Sequence, residues 1–116
     1  MDDKQKEQML LIAERYRNFV EYIYPALLNI NNKHRDLKTY VINLVLTQRE
    51  LLYKAIKTTQ KSKMYEADAG LAAIRAQIRF LSDSNRKLLS KRKARSATIT
   101  LSETGKMLNE WIAKVK

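Results

Sequence analysis

Apolar residues recur at alternating steps of three and four in four stretches of the chain, the spacing that gathers them on one face of an α-helix. In the first stretch Met9, Ile12, Tyr16, Phe19, Ile23, Ala26 and Ile30 form the stripe, with Ala13, Val20 and Leu27 widening it. Glu14, Arg17, Asn18 and Glu21 fall outside it, so a helix over roughly 4–30 is predicted. Pro25 inside that helix predicts a kink or a local break, because proline lacks a backbone donor and crowds the carbonyl of Glu21. A polar run, 29–35, follows, in which Asn31 and Asn32 can turn the chain or cap a helix. The second stripe, Leu37, Val41, Leu44, Gln48, Leu51 and Ala55, predicts a helix over 34–58, thickened by Tyr40, Val45 and Leu52. Gln48 interrupts the apolar row, as a register-setting buried amide or a contact between subunits would.

The third stripe is Met64, Ala67, Leu71, Ile74, Ile78 and Leu81, a helix over 62–83. Ala69, Gly70, Ala72, Ala73 and Ala76 make it thin and predict a tightly packed central helix, with a packing reason for Gly70. Thr100-Leu101-Ser102-Glu103 matches the reciprocal capping pattern and opens a fourth helix, 100–116, along Leu101, Thr104, Leu108, Trp111 and Val115. Met107 and Ile112 widen that last stripe. The segment 84–98 has no sustained apolar period and reads as a basic linker, either a loop or a frayed helical extension. Four amphipathic helices with short connections predict an all-α, antiparallel up-down four-helix bundle, one domain spanning 1–116. Tyr22, Tyr24, Leu46 and Ile56 lie off the main stripes and suggest burial against another subunit.

Composition narrows the function classes. Two Gly and one Pro in 116 residues are too few to punctuate a β-rich fold, and the absence of Cys excludes disulfides and cysteine-ligated zinc. The longest charge-free stretch, Tyr22 to Asn32, is far shorter than a membrane span, and the charged start MDDKQKEQ carries no secretory signal. A cytoplasmic protein is expected. Twenty-three Lys and Arg against twelve Asp and Glu leave a net charge of +11, which favours polyanionic partners. Most of the excess falls in 33–61 and 83–96, where a merely solvated surface would interleave the signs.

The sequence contains little catalytic chemistry. His34 is the only histidine, in the polar hinge Lys33-His34-Arg35, and reads as a surface or capping residue. No phosphate-binding glycine loop, nucleophile elbow or spaced acidic cluster occurs, so neither enzyme activity nor a metal or other cofactor is expected. The informative side chains are cations. Lys87, Lys91, Arg92, Lys93 and Arg95, with Arg86 beside them, form the densest patch, suited either to solvation or to phosphate contacts. Arg75 and Arg79 share a helix face one turn apart. They serve either as flank cations that snorkel over the bundle or pair with Asp68, or as a two-arginine clamp for phosphate or carboxylate.

The stretch from Ser62 to Leu81, SKMYEADAGLAAIRAQIRFL, resembles the accessory variability determinant (Avd) family of diversity-generating retroelements, whose pattern reads S-K-x-Y-x-A-D-A-G-L-A-x-x-R-x-x-x-R-F-L. Gln8-Met9-Leu10, Glu14-Arg15-Tyr16, Tyr22-Ile23-Tyr24-Pro25, Lys33-His34, Met107-Leu108 and Trp111-Ile112-Ala113 extend the similarity over nearly the whole chain. Arg35 stands where a well-known member has Gly, and the segment before the last helix is longer and more basic. The resemblance implies a four-helix bundle assembled into a basic, barrel-like homopentamer, encoded by bacteria or phage. It also implies binding to the retroelement's reverse transcriptase and to RNA or DNA without sequence specificity, in support of mutagenic cDNA synthesis and retrohoming. Arg75 and Arg79 match arginines implicated in the reverse transcriptase interaction, and Lys33, Arg35 and 86–95 supply nucleic-acid contacts in this reading. A related four-helix protein encoded within ribosomal RNA intervening sequences, with no polymerase partner, is the alternative.

Overall fold

The computed structural model describes residues 3–115, whose regular elements are all helical. They are α1 (Asp3–Leu28), α2 (Arg35–Thr58), α3 (Lys61–Ser82) and α4 (Lys91–Lys114), with a single 3-10 turn, Asn32–His34, leading into α2. Met1, Asp2 and Lys116, at the ends of the expected domain, lie outside the described residues. The short connections impose antiparallel neighbours, and the helices close a ring in which α1 packs on α2, α2 on α3, α3 on α4 and α4 on α1. The result is an elongated bundle of 47 × 23 × 19 Å.

Each neighbouring pair carries a polar tie in addition to its apolar seam. The buried Tyr16 hydroxyl donates to the Val45 carbonyl at 2.7 Å, joining α1 to α2. Gln48 Nε2 donates to the Ala67 carbonyl at 2.7 Å between α2 and α3. Asn109 Nδ2 donates to Asp68 Oδ1 at 3.1 Å between α3 and α4. Arg15 meets Glu103 at 2.6 Å between α1 and α4. The alternation of direction puts the α1–α2 connection and the α3–α4 turn at one end of the bundle, which decides where the cations gather.

The α3 stripe is buried as its spacing predicts. In α2 the buried row is Val41, Val45, Gln48, Leu52 and Ala55, while Leu37, Leu44 and Leu51 are half-buried and Tyr40 is exposed. Val41, Gln48 and Ala55 keep their expected places, while Val45 and Leu52 replace Leu44 and Leu51, because neighbouring residues of similar hydropathy lie side by side and packing chooses between them. In α1 Leu27 takes the buried place of Ala26, and the helix runs through Pro25 without a break. Pro25 is exposed, so the carbonyl of Glu21 that loses its donor sits near water. The helix ends one turn later, where the Lys38 ammonium donates to the carbonyls of Leu28 and Ile30 at 2.7 and 3.0 Å. A cation at a helix C-terminus is favoured by the helix dipole.

Three expectations are corrected. The small residues of α3 do not mark a central helix: Ala69, Ala72, Ala73 and Ala76 face outward and are exposed, and only Gly70 turns toward α2. A Cβ at Gly70 would press on the Gln48 amide, with Cδ 2.9 Å away, so the glycine exists to admit that buried side chain. The basic linker at 84–98 is replaced by a turn over 83–90 and by the first two turns of α4. Thr100 is no cap; its hydroxyl donates to the Ser96 carbonyl inside the helix at 3.2 Å, and Glu103 pairs with Arg15. Ser90 is the cap, its hydroxyl accepting from the Lys93 backbone N–H at 3.1 Å. The stripe continues upstream through the buried Ala94 and Ala97, and Leu89 anchors the turn in the core.

Candidate nucleic-acid and partner interface

The α3–α4 turn is built by hydrogen bonds rather than left as a loop. Asp83 ends α3, and its carboxylate accepts from the Asn85 backbone N–H at 3.2 Å and from Arg86 Nη1 at 3.2 Å. The Asn85 N–H, with the Arg86 guanidinium beside it, holds the Asp83 carboxyl below the usual carboxylate range. The Arg86 and Lys87 N–H groups donate to the Asp83 carbonyl at 2.9 and 2.8 Å. Lys87 adopts a left-handed φ of 52°, which reverses the chain so that the Leu88 and Leu89 N–H groups reach the Leu81 carbonyl. Such backbone costs a residue with a side chain roughly 1 kcal/mol, and this web of bonds offsets it.

The turn delivers its cations to one place. Between the end of α3 and the start of α4 runs an open groove of about 620 Å³, whose walls include Arg79 from α3 and Lys91 and Arg95 from α4. Ala94, Thr98 and Ile99 line it as an apolar strip, and Asp83 and Glu103 also contribute. Ile99 is 53% exposed there. Arg75 sits at the groove's margin, half-buried, its Nη1 donating to Ser102 Oγ at 3.4 Å. The pairing of Arg75 with Asp68 does not form; Asp68 accepts instead from Asn109 Nδ2. Arg79 is exposed, unlike Arg75, so the two arginines share a face but not an environment.

Lys91, Arg92 and Lys93 occupy the first turn of α4, which contains no acidic residue. A cation there opposes the helix dipole at a cost of about 0.3–1 kcal/mol each. The unfavourable placement leaves an outward field with free backbone donors, a combination suited to anions. Among the described residues the side chains of Arg79, Lys87, Lys91, Arg92, Lys93 and Arg95 make no ion pair or hydrogen bond. From residue 72 to residue 102 eight Lys and Arg face a single acid, Asp83.

The remaining expected residues divide. Arg86 is engaged, paired with Asp83 and stacked on Phe80 with its Cζ 3.6 Å from the ring centroid. Lys33 and Arg35 lie at the same end of the bundle but outside the groove, on a shallow recess of about 170 Å³ formed with His34 and Asp36. Asn31 shapes that bend by accepting from the Lys33 N–H at 2.9 Å. Phe80, Ile99, Ser102 and Glu103 are members of this surface that the sequence reading passed over. The Asp83-Ser84-Asn85 turn signal, with Phe80 just before and Arg86 just after it, could have pointed to the stack.

Off-stripe apolar residues remain at the surface. Tyr22 is exposed, and Tyr24, Leu46 and Ile56 are half-buried. Leu10, Leu11, Tyr53 and Tyr65 are each more than half exposed. No helix among the described residues is long and apolar enough to cross a membrane.

The comparison with protein families agrees with the pattern read from helix three. The model of the bAvd-like family matches residues 10–115, so it takes in all of α2, α3 and α4 and most of α1. No protein with a curated description matches the chain. The family is not a known enzyme family. A match of that extent, on a four-helix chain with the expected core, establishes that the chain belongs to the bAvd-like family.

Proposed function

We propose that this protein is a non-enzymatic accessory subunit of a diversity-generating retroelement, acting in the cytoplasm as a basic platform for the element's reverse transcriptase and for RNA or DNA. The observation that carries the reading is the convergence of Arg79, Lys91 and Arg95 on one groove, with no acid satisfying any of them. Phosphates or a partner's carboxylates would complete these exposed, unpaired cations with charge-assisted hydrogen bonds. Arg75 and Arg79 are the residues assigned to the reverse transcriptase; Lys87, Lys91, Arg92, Lys93 and Arg95, with Lys33, Arg35 and Arg86 at the same end, are assigned to nucleic acid. The outward alanine face of α3 and the exposed Leu10, Leu11, Tyr22 and Tyr53 support assembly of several copies, a homopentamer by family resemblance. Oligomerisation would multiply the basic ends and so the avidity for a polyanion.

The test is a binding titration against RNA over a range of salt concentrations, comparing the native chain with one in which Lys91, Arg92, Lys93 and Arg95 are all changed to Gln. Each phosphate contact contributes about 0.7 to the logarithmic salt slope on a single strand. The substituted chain should bind every sequence more weakly and with a slope reduced by roughly two to three. An unchanged slope would mean that the run is only a solvated helix start.

A further inference from the structure

Phe80 and Arg86 form a feature that electrostatics alone does not use. Phe80 is 40% exposed at the end of α3, on the most basic part of the molecule. Arg86 lies flat enough against the ring to bring its Cζ 3.6 Å from the centroid, and the Asp83 carboxylate holds the guanidinium there from its edge. Asp83 is itself fixed by the Asn85 N–H, so the stack is oriented by the turn rather than by chance. A guanidinium clamped at its edge keeps one planar face on the ring and turns the other outward. Planar cations and aromatic rings are the surfaces on which unpaired bases stack, and every base has a face to offer. Lys87, next in the chain, is exposed and unpaired, a cation available to a phosphate of the same strand.

We propose that the Phe80–Arg86 stack is a docking platform for an unpaired base, so that this end of the bundle selects single-stranded nucleic acid over duplex. The inference rests on the nucleic-acid reading above and makes it specific. A duplex presents its bases edge-on and could use only the phosphate contacts; a single strand uses both.

The experiment uses the full chain with a short oligonucleotide carrying 2-aminopurine, as RNA and as DNA, each single-stranded and annealed to its complement. The native chain should bind the single strands about tenfold more tightly than the duplexes, and bound 2-aminopurine should lose fluorescence through stacking. Phe80→Leu keeps an apolar side chain at the end of α3 but removes the π-face. It should lose that preference and the quenching, the single strands losing far more affinity than the duplexes. Phe80→Tyr, which restores a ring, should recover both. Equal affinity of the native chain for single strand and duplex, or an equal loss of both in Phe80→Leu, would overturn the platform and leave the phosphate reading standing. Failure of the native chain to bind either form would overturn both readings.

Discussion

Replacing Gly70 with Ala should destabilise the protein, although alanine is the better helix former. In an open helix interior the substitution would gain about 1 kcal/mol. Here the new Cβ would push against the Gln48 amide, whose Cδ stands 2.9 Å and Nε2 3.3 Å from its ideal position. Gln48 is only 1% exposed, so its side chain cannot swing out to water. Moving it breaks the 2.7 Å bond to the Ala67 carbonyl and leaves a buried amide unsatisfied, at about 1–3 kcal/mol. An off-rotamer side chain adds about 0.5–1.5 kcal/mol. The net expectation is a loss of about 0.5–3.5 kcal/mol. In a Gln48→Ala background the amide is gone, and the same Gly70→Ala change should stabilise by about 0.5–1 kcal/mol. The coupling between the sites is then about 1–4.5 kcal/mol, measured by urea unfolding of all four chains at one fixed protein concentration. A Gly70→Ala chain more stable than the native one would refute the reasoning, as would additive effects across the cycle.

The Arg75→Ala, Arg79→Ala double substitution should leave the melting temperature within the small range of surface changes, because Arg79 has no partner among the described residues and Arg75 has only a long bond to Ser102. A clear drop in thermal melting would show the pair to be structural. Tyr16→Phe should cost about 1 kcal/mol in urea unfolding by deleting the hydroxyl bond to Val45, and no measurable loss would deny that bond a role. Burial raises the Tyr16 hydroxyl above its ordinary value of 10.0, so the folded chain holds that proton more tightly than the unfolded one. Its contribution is therefore full below pH 10 and is lost as the pH rises beyond it, and Tyr16→Phe should flatten the alkaline limb of the stability profile. Light scattering at micromolar concentration should give a mass several times 13.6 kDa, and a monomer would dispose of the proposed assembly.

The helices were legible wherever large apolar residues set the period. The α3 row from Met64 to Leu81 is buried residue for residue, because no competing row flanks it. In α2 Leu44 and Val45, or Leu51 and Leu52, are interchangeable by hydropathy, and only the angle of the neighbouring helices selects one of each pair. The start of α4 was hidden for a different reason: its buried positions are alanines, Ala94 and Ala97, whose weak signal is swamped by the surrounding charge. The capping pattern at Thr100 was a false start of the same origin, since its residues are occupied in helix-internal and interhelical bonds. The cations were readable as residues but not as a site. Bringing Arg79 beside Lys91 and Arg95 takes a chain reversal that depends on Asp83, Lys87 and Leu89 acting together.

The proposed function requires partnership with a polymerase. The direct measurement is co-purification of the full chain, tagged, with the reverse transcriptase encoded by the same retroelement, at physiological salt and after nuclease treatment. The native chain should retain the polymerase through size-exclusion chromatography, and the Arg75→Ala, Arg79→Ala chain should release it while eluting at its usual size. A polymerase that elutes apart from the intact native chain would contradict the proposed function.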